Sequence, residues 1–424
     1  MLSRFFRDRR AGVAPLLALS LIPIMGAVAA SIDYSRASAV HSAMQSGLDA
    51  AGLMMSKNAQ TLSQAQLDQE ATDYFKAVFN HPEASNVAVT TTLTQPSQGS
   101  YQLALTGTAT VNTVFAQVLG YSQVNLSAST QIVWGIKKLN LALVLDNTGS
   151  MAQNGKMDAL KAAAHNLLST LQAAAKTPGD VQVSIVPFAL DVNVNTSNVG
   201  ANWIDWADWE TKNGTCSSTR YHSKSSCESN GKVWTPASHS TWNGCVMDRD
   251  QNNDAQNTAP VAGSTSTMFP ANQATACPAA MMPLTYDWTA LNSKIDAMTP
   301  TGNTNITIGL ALGWQTLTST APFNAPAAAT DLDKVIILLT DGENTQNRWT
   351  TSSTSIDSRT TLACNNIKAD NIRIYTVRVI DGNASLLQSC ATKPSMYYDV
   401  SQADQLAGVF SAIAQNLANL RIVE

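Results

Sequence analysis

The hydrophobic pattern changes its rhythm along the chain, and each rhythm predicts a different element. From Ala11 to Ile32 no side chain is charged, which is long enough for a helix to cross the core of a bilayer. Beyond Asp33 the apolar positions space out. Ala37, Val40, Met44, Leu48, Ala51 and Met55 recur at steps of three and four, as on one face of a helix, and a second helical stretch runs from Ala65 to Phe79. From Ala84 to Ile136 charge disappears again and the period becomes two. Tyr101, Leu103, Leu105, Ala109 and Val111 alternate with Gln102, Thr106, Thr108 and Thr110, and Val124, Leu126, Ala128 and Ile132 repeat the pattern, so half-buried antiparallel strands are expected.

After Lys138 the rhythm changes once more. Leu139 to Leu145 is almost continuously apolar, the mark of a strand covered on both faces. Met157, Leu160, Ala164, Leu167 and Leu171 stripe a helix, and Val181 to Phe188 reads as the next strand. Helical stretches between Ile295 and Leu317 break at Thr299-Pro300-Thr301-Gly302. Strands at Val335–Leu339, Ile372–Val379 and Tyr397–Val400 then alternate with helices, the last carrying Leu406, Phe410, Ile413, Leu417 and Leu420. This alternation predicts an α/β fold with a doubly wound, mostly parallel sheet. Three segments follow: a basic start and transmembrane helix over 1–32, a helix and small α+β domain over 33–135, and the α/β domain over 138–424. The last is interrupted by an insertion over 191–283, too long for a bare loop.

That insertion holds four of the six cysteines and five of the nine tryptophans: Trp203, Trp206, Trp209, Trp234 and Trp242. No C-x-x-C pair occurs, so disulfides are favoured over zinc, with 15 connectivities open to six cysteines. Cys364 with Cys390 is the favoured pair, since the other four cysteines share the insertion. The tryptophans are read as core for a disulfide-stapled subdomain.

Composition adds an address. Only 13% of the 424 residues are charged and the net charge is −4, which excludes a broad basic field for nucleic acid. Disulfides and scarce charge suit an oxidising envelope. Arg4, Arg7, Arg9 and Arg10 precede the apolar run and place the N-terminus in the cytoplasm. Ala27-Val28-Ala29 offers a rival, since an A-x-A site would allow cleavage as a signal peptide. The helical periodicity running on beyond it favours a retained single-pass anchor.

Candidate chemistry gathers where the predicted strands end. Asp146-Asn147-Thr148-Gly149-Ser150 follows the first buried strand, Thr304 stands before a helix, and Thr340-Asp341-Gly342-Glu343 follows another buried strand. Ligands of doubly wound sheets bind at this edge, and hard divalent cations take oxygen donors. Enzyme signatures fail. Gly149 to Lys156 imitates a phosphate loop but Met157 stands where Ser or Thr is needed, and no G-x-S-x-G or H-E-x-x-H occurs. His41, His81, His165, His222 and His239 are scattered.

The succession D-N-T-G-S-M, T-P-T-G-N-T-N-I and L-L-T-D-G-E-N resembles the von Willebrand factor A domain. The resemblance implies a metal-ion-dependent adhesion site (MIDAS) made of Asp146, Thr148, Ser150, Thr304 and Asp341. It would hold Mg²⁺, or another divalent cation such as Mn²⁺, with a partner's acidic side chain completing the shell. Ahead of this domain, R-R-A-G-V-A-P-L-L-A-L and D-Y-S-R before an Ala-rich helix resemble the TadG-like proteins of tight-adherence (Flp) pilus systems. So do Trp242-Asn243-Gly244-Cys245, Cys277-Pro278 and Pro283-Leu284-Thr285. The implied function is that of a non-enzymatic envelope protein, in the periplasm or facing the surface, that binds protein partners among pilus components, with no nucleic acid and no small-molecule substrate. The alternatives are a secreted adhesin freed near Ala29 and, against the missing second carboxylate at Thr148, a metal-dependent phosphohydrolase.

Overall fold

The computed structural model describes residues 13–97, 100–135, 138–175, 177–327 and 332–419. Arg4, Arg7, Arg9, Arg10 and Leu420 lie outside the described residues. The chain forms two compact units that meet in sequence at Gly135 and Ile136.

In the first unit, α1 (Val13–Met55) is a single helix with Pro23 inside it. Its apolar stripe is fully used, because Val40, Met44, Leu48 and Met55 are wholly buried. A capping box of Ser63 and Gln66 starts α2 (Gln64–Val78), whose Leu67, Ala71 and Phe75 join the same core. Beneath them lies an antiparallel sheet in the order β1 (Ala84–Ser97), β2 (Ser100–Asn112), β3 (Gln123–Gly135). Leu103, Leu105, Ala109 and Val111 point into that core, on the face their alternation assigns. β1 has no clean alternation of its own. Its run of threonines pairs with β2 through Leu93 and Leu103, and the pairing rather than the local pattern makes it a strand.

The second unit is a mixed, mostly parallel sheet with helices on both faces. β4 (Lys138–Asp146), β5 (Val181–Phe188), β13 (Leu332–Thr340), β14 (Arg373–Val379) and β15 (Tyr397–Val400) run parallel in the spatial order β15-β14-β13-β4-β5. One face is covered by α3 (Lys156–Ala174), α6 (Trp288–Asp296) and α10 (Leu406–Asn419), the other by α7 (Ile306–Thr316), α8 (Ser353–Ala369) and α9 (Ala384–Cys390). All eleven residues of α7 are buried, which suits a helix apolar on every side.

The insertion contains α4 (Ala207–Lys212), α5 (Lys224–Ser229) and a β8–β9 pair (Gly214–Cys216, Trp234–Pro236). It does more than form a stapled subdomain. β6 (Val192–Asn193), β10 (Cys245–Val246), β11 (Phe269–Asn272) and β7 (Ile204–Asp205) continue the sheet outward from β5, and β12 (Met282–Thr285) returns antiparallel to β5. The disulfides are Cys216–Cys227, Cys245–Cys277 and the favoured Cys364–Cys390. Trp203, Trp209, Trp234 and Trp242 are buried, and half-buried Trp206 stacks on His239 with ring centroids 3.8 Å apart.

Candidate metal centre

β4 lies between β5 and β13, and the chain leaves it by α3 on the way to β5. The carboxyl ends of β4 and β13 therefore flank the point where the winding reverses, the crevice in which such sheets hold ligands. Asp146 is the last residue of β4, and Asp341 follows the last residue of β13.

The loop after β4 folds back on its own strand end. Asp146 Oδ1 accepts from the Thr148 amide at 2.8 Å and from Thr148 Oγ1 at 2.5 Å. Neither Asp146 nor Thr304 serves as a helix cap: α3 begins behind Gly155, and α7 behind Asn305. Thr148 Oγ1 lies 3.1 Å from Ser150 Oγ, which donates to Asp341 Oδ1 at 2.6 Å. The 302–305 segment closes the third side. The Gly149 amide bonds to Gly302 O at 3.0 Å, the Thr304 amide to Thr345 Oγ1 at 2.9 Å, and Thr304 O accepts the Thr345 amide at 2.9 Å. A Cβ placed on Gly342 would stand 3.3 Å from Thr304 Oγ1 and 3.7 Å from Ser150 Oγ. Glycine there keeps a further side chain from crowding the two hydroxyls. All five residues named from the sequence thus meet at one edge, drawn from three segments.

This donor set fits a hard divalent cation. It offers two carboxylates and three hydroxyls and no nitrogen or sulfur. Among the described residues no group of three or more His, Cys, Asp and Glu side chains is placed to hold a metal, so an ion at this edge would need the hydroxyls beside the two carboxylates. Burial, and then the charge of Asp341, pushes Asp146 up to about 6.

Two participants escape a motif reading. Thr340 Oγ1 donates to Asp146 Oδ2 at 2.6 Å, and so fixes the strand-end carboxylate. Lys156, with 2% of its side chain exposed, places Nζ 2.7 Å from Asp341 Oδ2 and 3.4 Å from Asp381 Oδ2. Desolvation opposes its charge, but its bonds to Asp341 and Asp381 outweigh this and raise its pKa. The signal for Lys156 was its position, since a cation in the first turn of a helix opposes the helix dipole and needs a local anion.

A second buried polar pair adjoins the centre through Asn305. Its Nδ2 donates to Asp248 Oδ2 at 2.8 Å, while Asn305 Oδ1 and Asp248 Oδ1 are both buried without a partner. Burial pushes Asp248 up to about 7. The charge-poor insertion conceals this pairing in the sequence, because the residues are 57 positions apart.

Comparison with known families agrees with this architecture. The von Willebrand factor type A domain model matches residues 268–412, and the model of putative Flp pilus-assembly TadE/G-like proteins matches residues 12–56. The first span includes Thr304 and Asp341 but starts after Asp146, Thr148 and Ser150, which the insertion separates from it. No curated protein matches the chain. Among solved structures, the pilus adhesin SpaC from Lactobacillus rhamnosus GG aligns at 14% identity and a TM-score of 0.38, over 81% of this chain and 36% of SpaC. This chain thus spans about a third of the length of SpaC. The vWF domain of the type V pili tip protein Mfa5 from Porphyromonas gingivalis aligns at 12% identity and 0.40, over 68% of this chain and 97% of that domain. Proximal thread matrix protein 1 from the mussel byssus, with a zinc-occupied MIDAS motif, aligns at 11% and 0.35, over 67% and 48%. Similarity this distant carries no functional weight. On the two family matches, the chain carries a TadE/G-like Flp pilus-assembly segment and a von Willebrand factor type A domain, the architecture of a TadG-like protein.

Proposed function

We propose that this chain is a membrane-anchored envelope component of a tight-adherence pilus system, and that it grips an acidic side chain of a protein partner through a divalent cation. Asp146, Thr148, Ser150, Thr304 and Asp341 hold that cation, Mg²⁺ or Mn²⁺. The observation that carries the reading is the convergence of these five side chains at the winding reversal of the sheet, where Gly342 adds no side chain between them. With three of five donors neutral and Asp341 already paired to Lys156, a bound ion keeps much of its charge for an incoming carboxylate. The anchor reading is supported by the TadE/G-like match over 12–56 and by the long, exposed apolar part of α1.

The same geometry favours binding over turnover. Asp146 is wholly buried, and both its oxygens are taken up by Thr148, Thr340 and the Asp341 amide. Those bonds fix the carboxylate beside the ion, and its burial keeps it from meeting a substrate as a nucleophile.

The test is calorimetric titration of Mn²⁺ and Mg²⁺ into the detergent-solubilised full chain, followed by capture of envelope proteins in Mg²⁺ and in EDTA. Saturable binding that disappears in Asp146→Ala and Thr304→Ala, with partners retained only in Mg²⁺, is expected. Unchanged titration in both variants would overturn the assignment.

A further inference from the structure

The turn between β2 and β3, Thr113 to Ser122, contains no charged residue and points its large side chains away from the protein. Val114, Phe115, Val118 and Tyr121 are exposed, Val118 to 85% and Tyr121 to 70%. Such a patch normally marks a contact surface. The turn is nevertheless tightly built. Thr113 Oγ1 donates to Tyr121 O at 2.5 Å, the Thr113 amide to Ser122 O at 3.1 Å, and the Tyr121 amide to Ala116 O at 3.1 Å. It is also fastened to α1. The Asp33 carboxylate, 6% exposed, accepts the amides of Val114, Phe115 and Ala116 at 2.9, 3.0 and 2.7 Å. Asp33 is the first charged residue after the uncharged part of α1. The clip therefore sets the turn against the membrane-proximal end of that helix. Between them runs a groove of about 390 Å³, walled by Ile24, Val28 and Ile32 on one side and by Phe115, Ala116 and Val118 on the other.

We propose that this turn is a second membrane contact: it dips into the outer headgroup and upper acyl region beside α1, and lipid chains fill the groove. The inference rests on the anchor reading and goes beyond it. Lipid is favoured because one wall of the groove is the exposed apolar helix that the anchor reading places in hydrocarbon, so the two surfaces are continuous. The depth also fits. At about 1.5 Å per residue, Val28 and Ile24 lie roughly 7 and 13 Å along the helix from Asp33, and interfacial apolar segments sink about 5–10 Å. Tyr121 suits the rim, where aromatic residues with a polar tip collect. The three amides satisfy the Asp33 charge, so the clip brings no bare carboxylate to the lipid surface.

The test uses the full chain in vesicles of phosphatidylcholine and phosphatidylglycerol. All six native cysteines are paired, so an environment-sensitive fluorophore can be attached singly in V118C, I24C and Q131C. Gln131 is exposed on β3 and serves as the aqueous control. Acyl-chain spin labels are expected to quench Val118 and Ile24 and to spare Gln131, with Val118 quenched most by labels near the top of the chain. Quenching at Ile24 but not at Val118 would overturn the proposal and leave the anchor standing. A blue-shifted, unquenched Val118 would assign the groove to a protein neighbour instead. No quenching at Ile24 would remove the anchor and the proposal together.

Discussion

At the scale of single residues, the centre is organised by charge that never reaches solvent. Lys156 neutralises one of two buried carboxylates, and removing one partner of such a pair leaves the other uncompensated, at a cost of about 3–5 kcal/mol. Lys156→Met is therefore expected to lower stability in EDTA by that order. Mg²⁺ or Mn²⁺ should restore part of the loss by supplying the missing positive charge, and denaturant unfolding with and without metal measures both effects. A variant equally unstable in either condition would argue against cation binding. Asp248 and Asp191 make a pH prediction. Burial raises them to about 7 and about 6, whereas unfolded aspartates titrate near about 3.9. The native state therefore binds the extra protons. The stability they contribute is complete below about pH 4 and is lost as pH rises through about 6 and 7. In EDTA, melting temperature should fall across that range, and Asp248→Asn should make the fall shallower. Thermal unfolding at several pH values checks it.

At the scale of elements, α7 shows how closely packing constrains the centre. The helix starts two residues after Thr304 and lies so near β4 that a Cβ on Gly313 would collide with Val144 Cγ2. Gly313→Val is expected to cost about 1–3 kcal/mol by overpacking and, by moving the start of α7, to weaken Mn²⁺ binding as well. Unfolding and titration of the same variant test the link. The disulfide Cys364–Cys390 ties α8 to α9 across 26 positions, and closing a loop of that size is worth about 3.5 kcal/mol. Replacing both cysteines by serine should lower stability by that order in denaturant titration. These elements also mark what the sequence makes legible. The parallel strands, the two helical layers and the meeting of Asp146, Thr148, Ser150, Thr304 and Asp341 at one sheet edge were readable because each carries a periodic pattern or a strand-end motif. The uncharged stretch from Ala84 announced strands without fixing the bounds of β1, and the short strands of the insertion were not readable, since pairing and not composition makes them strands. Lys156 and the Asn305–Asp248 pair were hidden for a related reason: they act through contacts between residues far apart in the chain.

At the scale of the whole molecule, sequence separation becomes a matter of time. Asp146 and Asp341 stand 195 positions apart, with the entire insertion between them. Pairing across such a distance pays its loop-closure cost before any contact repays it, so it forms late. Cys216–Cys227 and Cys245–Cys277 span only 11 and 32 positions and can close locally as soon as oxidant is available. β13 cannot join β4 until the chain has emerged past residue 340. If the five side chains hold a cation as proposed, a growing chain carries only part of that site until β13 has emerged, and partner binding through the ion waits for it. On that reading the site is assembled by the docking of one strand, and its timing is set by the order of the chain.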